Sequence, residues 1–493
     1  MTKKERHIYK ERLPEKEEDD VLDDKVILKP VVGIFGAISF IVGSIIGTGI
    51  FLSPTGVLDG VSGSVGWSLI VWVVCALIAA CGAYCFVELG TIFRKSGGEF
   101  TFLDEVYGPM VGYVRAWIMF FMGGPVWSSL QCIVIASYVT TPFFGPCTEA
   151  PYPAVRLLSI CVFMVTLAVN GFSTTLATRF QIFYTIAKNI GLAVIIVSGI
   201  VMLCLGETQN FQQPFQAQTE FSFSKLPGAF YAGLFAYSGW SFVIYIIEEV
   251  ENPRKILPKA MNISLTLVTV VYLLANISYM IVLKPTEILA SDAVAATYAV
   301  RILHSWSWTV WVFVAISAAG TLNSGVYSRT RMSFVASREG RFPQALSLIH
   351  IRHRTPLVSL LLPIPITLFM LCWANVWFLI NFMGFVEVIF QTMAYVIIPY
   401  VRWKQPEREI PFKTHISLSL VAIAANVFLM IITIISVPID CVIGICFIAA
   451  AVGVYFIDKK LSSDPEKYSW LTDKINIFVQ KLFFSIPQEE KTY

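Results

Sequence analysis

Three glycines and two hydroxyl side chains crowd into nine residues of the first strongly apolar stretch, Gly43-Ser44-Ile45-Ile46-Gly47-Thr48-Gly49-Ile50-Phe51, with Pro54 close behind. Glycine costs a helix interior about 1 kcal/mol relative to alanine, so this spacing predicts a main chain that unwinds. A second such stretch, Tyr231-Ala232-Gly233-Leu234-Phe235-Ala236-Tyr237-Ser238-Gly239-Trp240, follows about 190 residues later. Unwinding frees backbone N–H and carbonyl groups, and in hydrocarbon each unpaired group costs several kcal/mol. A ligand with one anionic and one cationic end satisfies both kinds. Its carboxylate takes the N–H groups that open the next half-helix, and its ammonium takes the freed carbonyls. That is the headgroup of an α-amino acid. Close helix packing through small residues is the competing explanation of the glycines. Two interruptions in corresponding positions point instead to a transporter of two inverted repeats.

Two lone charges belong to the same problem. Lys188 lies inside the apolar run 182–201, where a lysine costs at least ~2.5 kcal/mol and must face the protein interior with a carbonyl or acid partner. Glu387 sits in Ile380-Asn381-Phe382-Met383-Gly384-Phe385-Val386-Glu387-Val388-Ile389-Phe390, with no basic residue within ten positions. It therefore seeks a cation. The candidates are the side chain of a cationic substrate such as arginine, lysine or ornithine, or Lys188 across the core. A structural hydrogen bond or a proton site is the alternative.

The elements that must position these residues follow from composition. Of 493 residues 56% are hydrophobic and 14% charged, where a soluble protein carries about 25% charged residues. The mean hydropathy is +0.70. So few charges cannot cover a soluble globule of this size, and the chain is read as an all-α, multi-pass membrane protein. A spanning helix needs ~20 apolar residues. Twelve such runs begin near Gly33, Val65, Pro109, Pro153, Phe180, Leu226, Ala260, Ser305, Pro356, Val376, Ile416 and Cys441. The first and sixth are the discontinuous ones. The expected divisions are an arm over 1–29 and a twelve-helix transporter domain over 30–457, with a tail over 458–493. Within the domain, repeat one covers 30–205, repeat two 226–401, and two extra helices 416–457.

With the amino terminus in the cytoplasm, inside loops carry thirteen Lys/Arg and outside loops only four (Arg156, Lys225, Lys284 and Arg301). Both termini are therefore expected in the cytoplasm. The arm holds eight Lys/Arg and nine Asp/Glu among 29 residues, a solvated and disordered composition. A net charge of +3 gives no case for nucleic acid. No phosphate-binding GxxxxGK[ST] loop, HExxH or Cys/His cluster is present, so neither an ATP-driven pump nor an enzyme is expected, and no cofactor or metal. An amino-acid sensor that binds without moving cargo is the remaining rival.

Six stretches recur in a familiar order: Gly43 to Phe51, Glu88-Leu89-Gly90-Thr91, Lys95-Ser96-Gly97-Gly98, Phe235 to Trp240, Glu248-Glu249-Val250-Glu251-Asn252-Pro253, and Ser337-Arg338-Glu339-Gly340. From about Lys29 to the end of the last span the chain resembles the light-chain subunits of heteromeric amino-acid transporters. These are the L-type amino-acid transporters of the amino acid–polyamine–organocation superfamily. The resemblance implies the five-plus-five inverted-repeat fold with two extra helices, and sodium-independent exchange of amino acids at the plasma membrane. It places the carboxylate-binding turn on Gly47, Thr48 and Gly49 and the ammonium-binding carbonyls on Ile45 and Phe235. The Phe235 ring becomes the aromatic gate, with Ala236, Ser238 and Ser241 beside it. Lys188 becomes the residue standing where other members hold sodium. Cys147, in an outside loop, becomes the disulfide partner of a single-span heavy-chain glycoprotein, as a lone external thiol also suggests.

The chain departs from its relatives in three places. Met119 and Gly124, ahead of Pro125, replace an acid and a base carried by several members. Glu387 stands where a cystine/glutamate-exchanging relative carries arginine, which argues against anionic side chains. Ser241 often corresponds to asparagine and leaves more room. Cationic or neutral L-amino acids are therefore the expected substrates, with small neutral or anionic ones as the alternative. Asn276 and Asn323 either line the cavity or join helices. Glu88, Arg94, Ser96, Glu99, Glu248 and Glu249, at span ends, are candidates to close an inner gate.

Overall fold

The computed structural model describes residues 32–144, 151–218, 225–291, 293–373, 376–461 and 465–487. Hydrocarbon leaves backbone groups no solvent partner, so the apolar runs resolve into helices, and the glycine-rich first run divides. Helix α1 (Ile34–Ile45) and helix α2 (Gly49–Gly60) meet at an angle of 44°. After α3 (Val65–Phe93) the chain makes a short helix, α4 (Glu99–Tyr107). Then α5 (Pro109–Ile118) passes through a π-helical turn, Met119–Gly123, into α6 (Gly124–Phe144). Helices α7 (Tyr152–Phe172) and α8 (Thr174–Cys204) complete the first half.

The sixth run breaks as well. Helix α9 (Leu226–Ala236) ends in a turn at 237–239, beyond which Trp240–Glu249 coil as a 3-10 helix. Next come α10 (Pro253–Val282), the short α11 (Pro285–Leu289) and α12 (Val294–Leu303), and the long α13 (Trp308–Arg338). Helices α14 (Leu357–Leu361) and α15 (Ile364–Trp373) flank Pro363. Helices α16 (Val376–Lys404), α17 (Ile416–Ser436), α18 (Pro438–Leu461) and α19 (Pro465–Phe483) finish the chain. Strand β1 (Leu348–His350) pairs antiparallel with β2 (Ser485–Pro487), so the tail returns to the loop after α13.

Among the described residues, ten helices are long and apolar enough to span a membrane, and the bent α1–α2 pair makes an eleventh. The ninth of the twelve expected runs is the difference. Among the described residues it yields a shorter apolar stretch, Leu357–Cys372, interrupted at Pro363, which supplies no N–H to the helix. Within the bundle α13 is the axle: 67% of its apolar window is buried, against 17% for α18 at the periphery.

Candidate functional site

The first interruption is narrower than its glycines suggest. Only Ile46, Gly47 and Thr48 leave the helix. Gly43 stays inside α1 and is a packing residue: a Cβ there would meet Gln181 Nε2 of α8 at 2.3 Å. Gly47 and Gly49 allow close approach at the break itself, where a Cβ would come 2.8 Å from Thr321 Oγ1 and 2.7 Å from Ala236 Cα, respectively.

The freed carbonyls have partners. Lys188 Nζ, fully buried, donates to the carbonyls of Gly43 (2.8 Å), Ile46 (2.5 Å) and Ser317 (3.1 Å). Those three bonds use all its protons. The Ser317 hydroxyl lies 3.2 Å from the Ile46 oxygen and 3.1 Å from that of Gly47, and Thr321 Oγ1 lies 3.3 Å from the Gly43 oxygen. The Ile45 carbonyl accepts the Gly47 N–H (2.8 Å) and the Tyr272 hydroxyl (3.0 Å). Helix α2 starts at Gly49 with no side-chain cap from Thr48, and the first N–H groups of a helix have no partner within it.

The second interruption turns on Gly239, whose φ of +100° is the left-handed conformation that glycine adopts freely. A Cβ there would also sit 2.6 Å from the Ser44 oxygen, so the two breaks touch. The Phe235 carbonyl accepts the Ser238 N–H (3.1 Å) and hydroxyl (2.7 Å). The Ala236 carbonyl lies 3.0 Å from the Tyr272 hydroxyl. Tyr272, buried on α10, thus bridges the two breaks, giving its one proton to either oxygen at a time. Sequence reasoning missed it, because a tyrosine in an apolar helix reads as core.

Phe235, Ser238, Gly239 and Ser241 line a cavity of about 180 Å³ together with Tyr231, Met119, Trp127, Phe242, Arg329, Glu99 and Glu387. Ile45, Gly47, Thr48, Gly49 and Ala236 are buried and are not on its wall. The structure therefore brings Phe235, Ser238, Ser241 and Glu387 into one space, with the first break outside its lining.

Glu387 has a cation that local sequence could not show. Arg115 of α5 donates to it (Nη2 to Oε2, 2.8 Å) and lies 2.6 Å from Glu99 Oε2, with its guanidinium 5.1 Å from the Phe390 ring. The expected pairing of Glu387 with Lys188 is thereby replaced. Lys188 is committed to carbonyls, and the partner comes from 272 positions away. Met119 opens the π-helical turn and Gly124 follows it, a feature often found at functional sites.

The residues named for an inner gate divide. Ser96 and Glu248 hold each other reciprocally, the Ser96 N–H on Glu248 Oε1 and the Glu248 N–H on Ser96 Oγ, each at 3.0 Å. Arg338 forks onto the same carboxylate at 2.6 and 2.9 Å. Glu249 takes Arg331 Nε at 2.6 Å and the Tyr327 hydroxyl. Glu88 is instead tied to Arg402 and Thr414, and Arg94 bonds its own helix at the Thr91 oxygen. Asn323 joins helices, bonding Asn170, Ala177 and Gln181, whereas Asn276 bonds the Tyr272 oxygen one turn back in its own helix, α10. Cys147 lies outside the described residues.

A family model described as an amino acid permease matches residues 32–478. The human cystine/glutamate transporter is 36% identical over 468 residues, 95% of this chain and 93% of its own. The mouse large neutral amino acids transporter small subunit 2 is 36% identical over 475 residues, 94% of this chain and 88% of its own. The mouse Asc-type amino acid transporter 1 is 34% identical over 465 residues, 94% of this chain and 87% of its own.

Proposed function

The chain belongs to the amino acid permease family, and from that premise we propose that it exchanges L-amino acids across the plasma membrane without sodium. The observation that carries the reading is Lys188. Its ammonium occupies the carbonyls opened by the first break, so a fixed cation stands where a transported one would otherwise be needed. Substrate binds with its α-carboxylate at Gly47, Thr48 and Gly49 and its α-ammonium at the Ile45 and Phe235 carbonyls. The two breaks, in contact here, separate to admit it as two inverted repeats rock against each other. Phe235 closes over it.

Neutral and cationic side chains are favoured over anionic ones. Glu99 and Glu387 are both paired with Arg115, and Arg329 shares their cavity wall, which leaves the charges around the cavity balanced beside the rings of Trp127, Phe235 and Phe242. Both termini lie in the cytoplasm. A single-span heavy chain joins through Cys147, and Cys147→Ser is expected to abolish the reducible high-mass band on non-reducing gels.

Counterflow in proteoliposomes tests the transport reading. Preloaded unlabelled neutral amino acid is expected to accelerate entry of labelled leucine equally in sodium and in choline medium. Binding without trans-stimulated flux would establish a sensor instead.

A further inference from the structure

Arg329 is a cation that neither break uses. It lies on α13, two turns beyond Thr321, and reaches the cavity wall. Its guanidinium lies against an edge-to-face pair of aromatic rings, 5.1 Å from the centroid of Trp127 and 4.9 Å from that of Phe242. The rings fix its position and satisfy its charge in part, but they accept no conventional hydrogen bond. Nε and Nη1 of Arg329 and Nε1 of Trp127 are buried with no partner among the described residues. Nη1 and the indole nitrogen converge over Gly325, where a Cβ would lie 2.8 Å from one and 2.9 Å from the other. Glycine at this position leaves the two donors room. Buried donors without an acceptor cost about 1–3 kcal/mol each, so a structure that keeps three together has an acceptor missing from one place.

The missing group is an oxygen without a charge. The two carboxylates on the wall are already matched by two guanidinium groups, Arg329 on the wall and Arg115 off it, paired with both carboxylates. A carboxylate arriving at Arg329 would bring a third negative charge into the space Glu387 faces, and an ammonium would meet only donors. A carbonyl oxygen fills donors and leaves the balance unchanged. We propose that Arg329 and Trp127 form a specificity pole for the substrate's side chain, selecting carboxamide-bearing amino acids over apolar ones of equal length. This rests on the transport reading above and deepens it: the breaks hold the headgroup, and the α13 pole reads the far end.

Glutamine, methionine and glutamate have side chains of nearly equal length and differ at the terminal group, so they serve as probes. Inhibition of labelled leucine uptake by each is measured in the full-length protein, wild type, Arg329→Met and Arg329→Lys. In the wild type glutamine is expected to inhibit at least tenfold more potently than methionine, because a site built to donate hydrogen bonds rejects the analogue lacking an acceptor. Arg329→Met is expected to bring that ratio to about one or below, with Arg329→Lys between. Equal potency of glutamine and methionine in the wild type overturns the proposal, as does a ratio unmoved by Arg329→Met. Glutamate as the competitor most sensitive to Arg329 overturns it in favour of a carboxylate pole. Should the wild type carry no amino acid, transport is the reading that falls. Thermal-shift titration of the purified wild type with the same three amino acids then still decides the role of Arg329. That titration also decides the case where Arg329→Met does not fold.

Discussion

The two interruptions look alike in sequence and are treated differently by the fold. At the first, Lys188, Ser317, Thr321 and Tyr272 close on the carbonyls of Gly43, Ile45, Ile46 and Gly47. At the second, the Phe235 carbonyl is held by its own turn through Ser238, and Phe235, Ser238 and Gly239 face open space. The first break is clamped from neighbouring helices; the second is held by its own turn at Phe235 and by Tyr272 at Ala236, and it opens on a cavity on one side. An unwound segment tolerates hydrocarbon depth only where protein or a water-filled cavity takes up its polar groups. Each break uses one of those two solutions.

The contrast breaks most decisively at Lys188. Lys188→Met removes the charged donor from the carbonyls of Gly43 and Ile46 and leaves them to the Thr321 and Ser317 hydroxyls at 3.3 and 3.2 Å, a bond to a charged group being worth about 1.5–3 kcal/mol. Both folded yield and uptake are expected to fall, uptake on the order of 100-fold, as read by surface labelling and leucine flux. Survival of transport would show that the clamp is dispensable.

Gly239→Ala tests where the breaks meet. The substitution combines a positive φ with a Cβ 2.6 Å from the Ser44 oxygen, and uptake is expected to drop roughly tenfold or more. Gly228→Ala, near the start of α9 with nothing within 4 Å, is expected to stay within about twofold. Equal losses from the two would deny that contact between the breaks matters.

Tyr272→Phe removes one hydroxyl shared between Ile45 and Ala236. A lost hydrogen bond of about 1 kcal/mol predicts a change of several-fold in half-saturation, with little loss of protein. A change confined to yield would make Tyr272 a packing residue only.

The smallest effect is expected at α11, which braces α2 through the Thr55 hydroxyl, 3.1 Å from the Ser291 oxygen and 3.3 Å from that of Ile288. The Lys284 N–H at 2.8 Å, and then Arg301 at 2.6 Å, hold the Glu287 carboxyl below its usual range. A depressed carboxyl stabilises the fold above its unfolded-state pKa and loses that contribution as pH falls through its folded value. Unfolding temperature should therefore decline from pH 6 toward pH 3 slightly less steeply in Glu287→Gln than in the wild type. The pair is exposed to solvent, which keeps the difference small.

Much of the site was legible because membrane solvent is unforgiving. Glycines where a helix should run mark a break, and a lysine in an apolar run demands carbonyls or an acid; the two rules single out Gly47 and Lys188 from the sequence alone. Glu387 was legible as a charge in need of a partner but not as a partner of Arg115, because Arg115 sits in another helix and no local spacing joins them. Tyr272, Trp127 and Arg329 gave no local signal: two read as aromatic core and one as part of a basic helix end. Gly43 misled, since packing and unwinding both call for glycine and only its distance from Gln181 separates them.

What the sequence determined by itself is the solvent the chain must live in, the runs that cross it, and the two places where the main chain gives way. Those follow from transfer free energies and backbone hydrogen bonding, which are properties of short segments. The tertiary structure decided which groups take up the opened carbonyls, that the two breaks abut at Gly239, and that one break faces a cavity while the other is sealed. Those depend on distances between residues more than a hundred positions apart, which pattern along one segment does not encode.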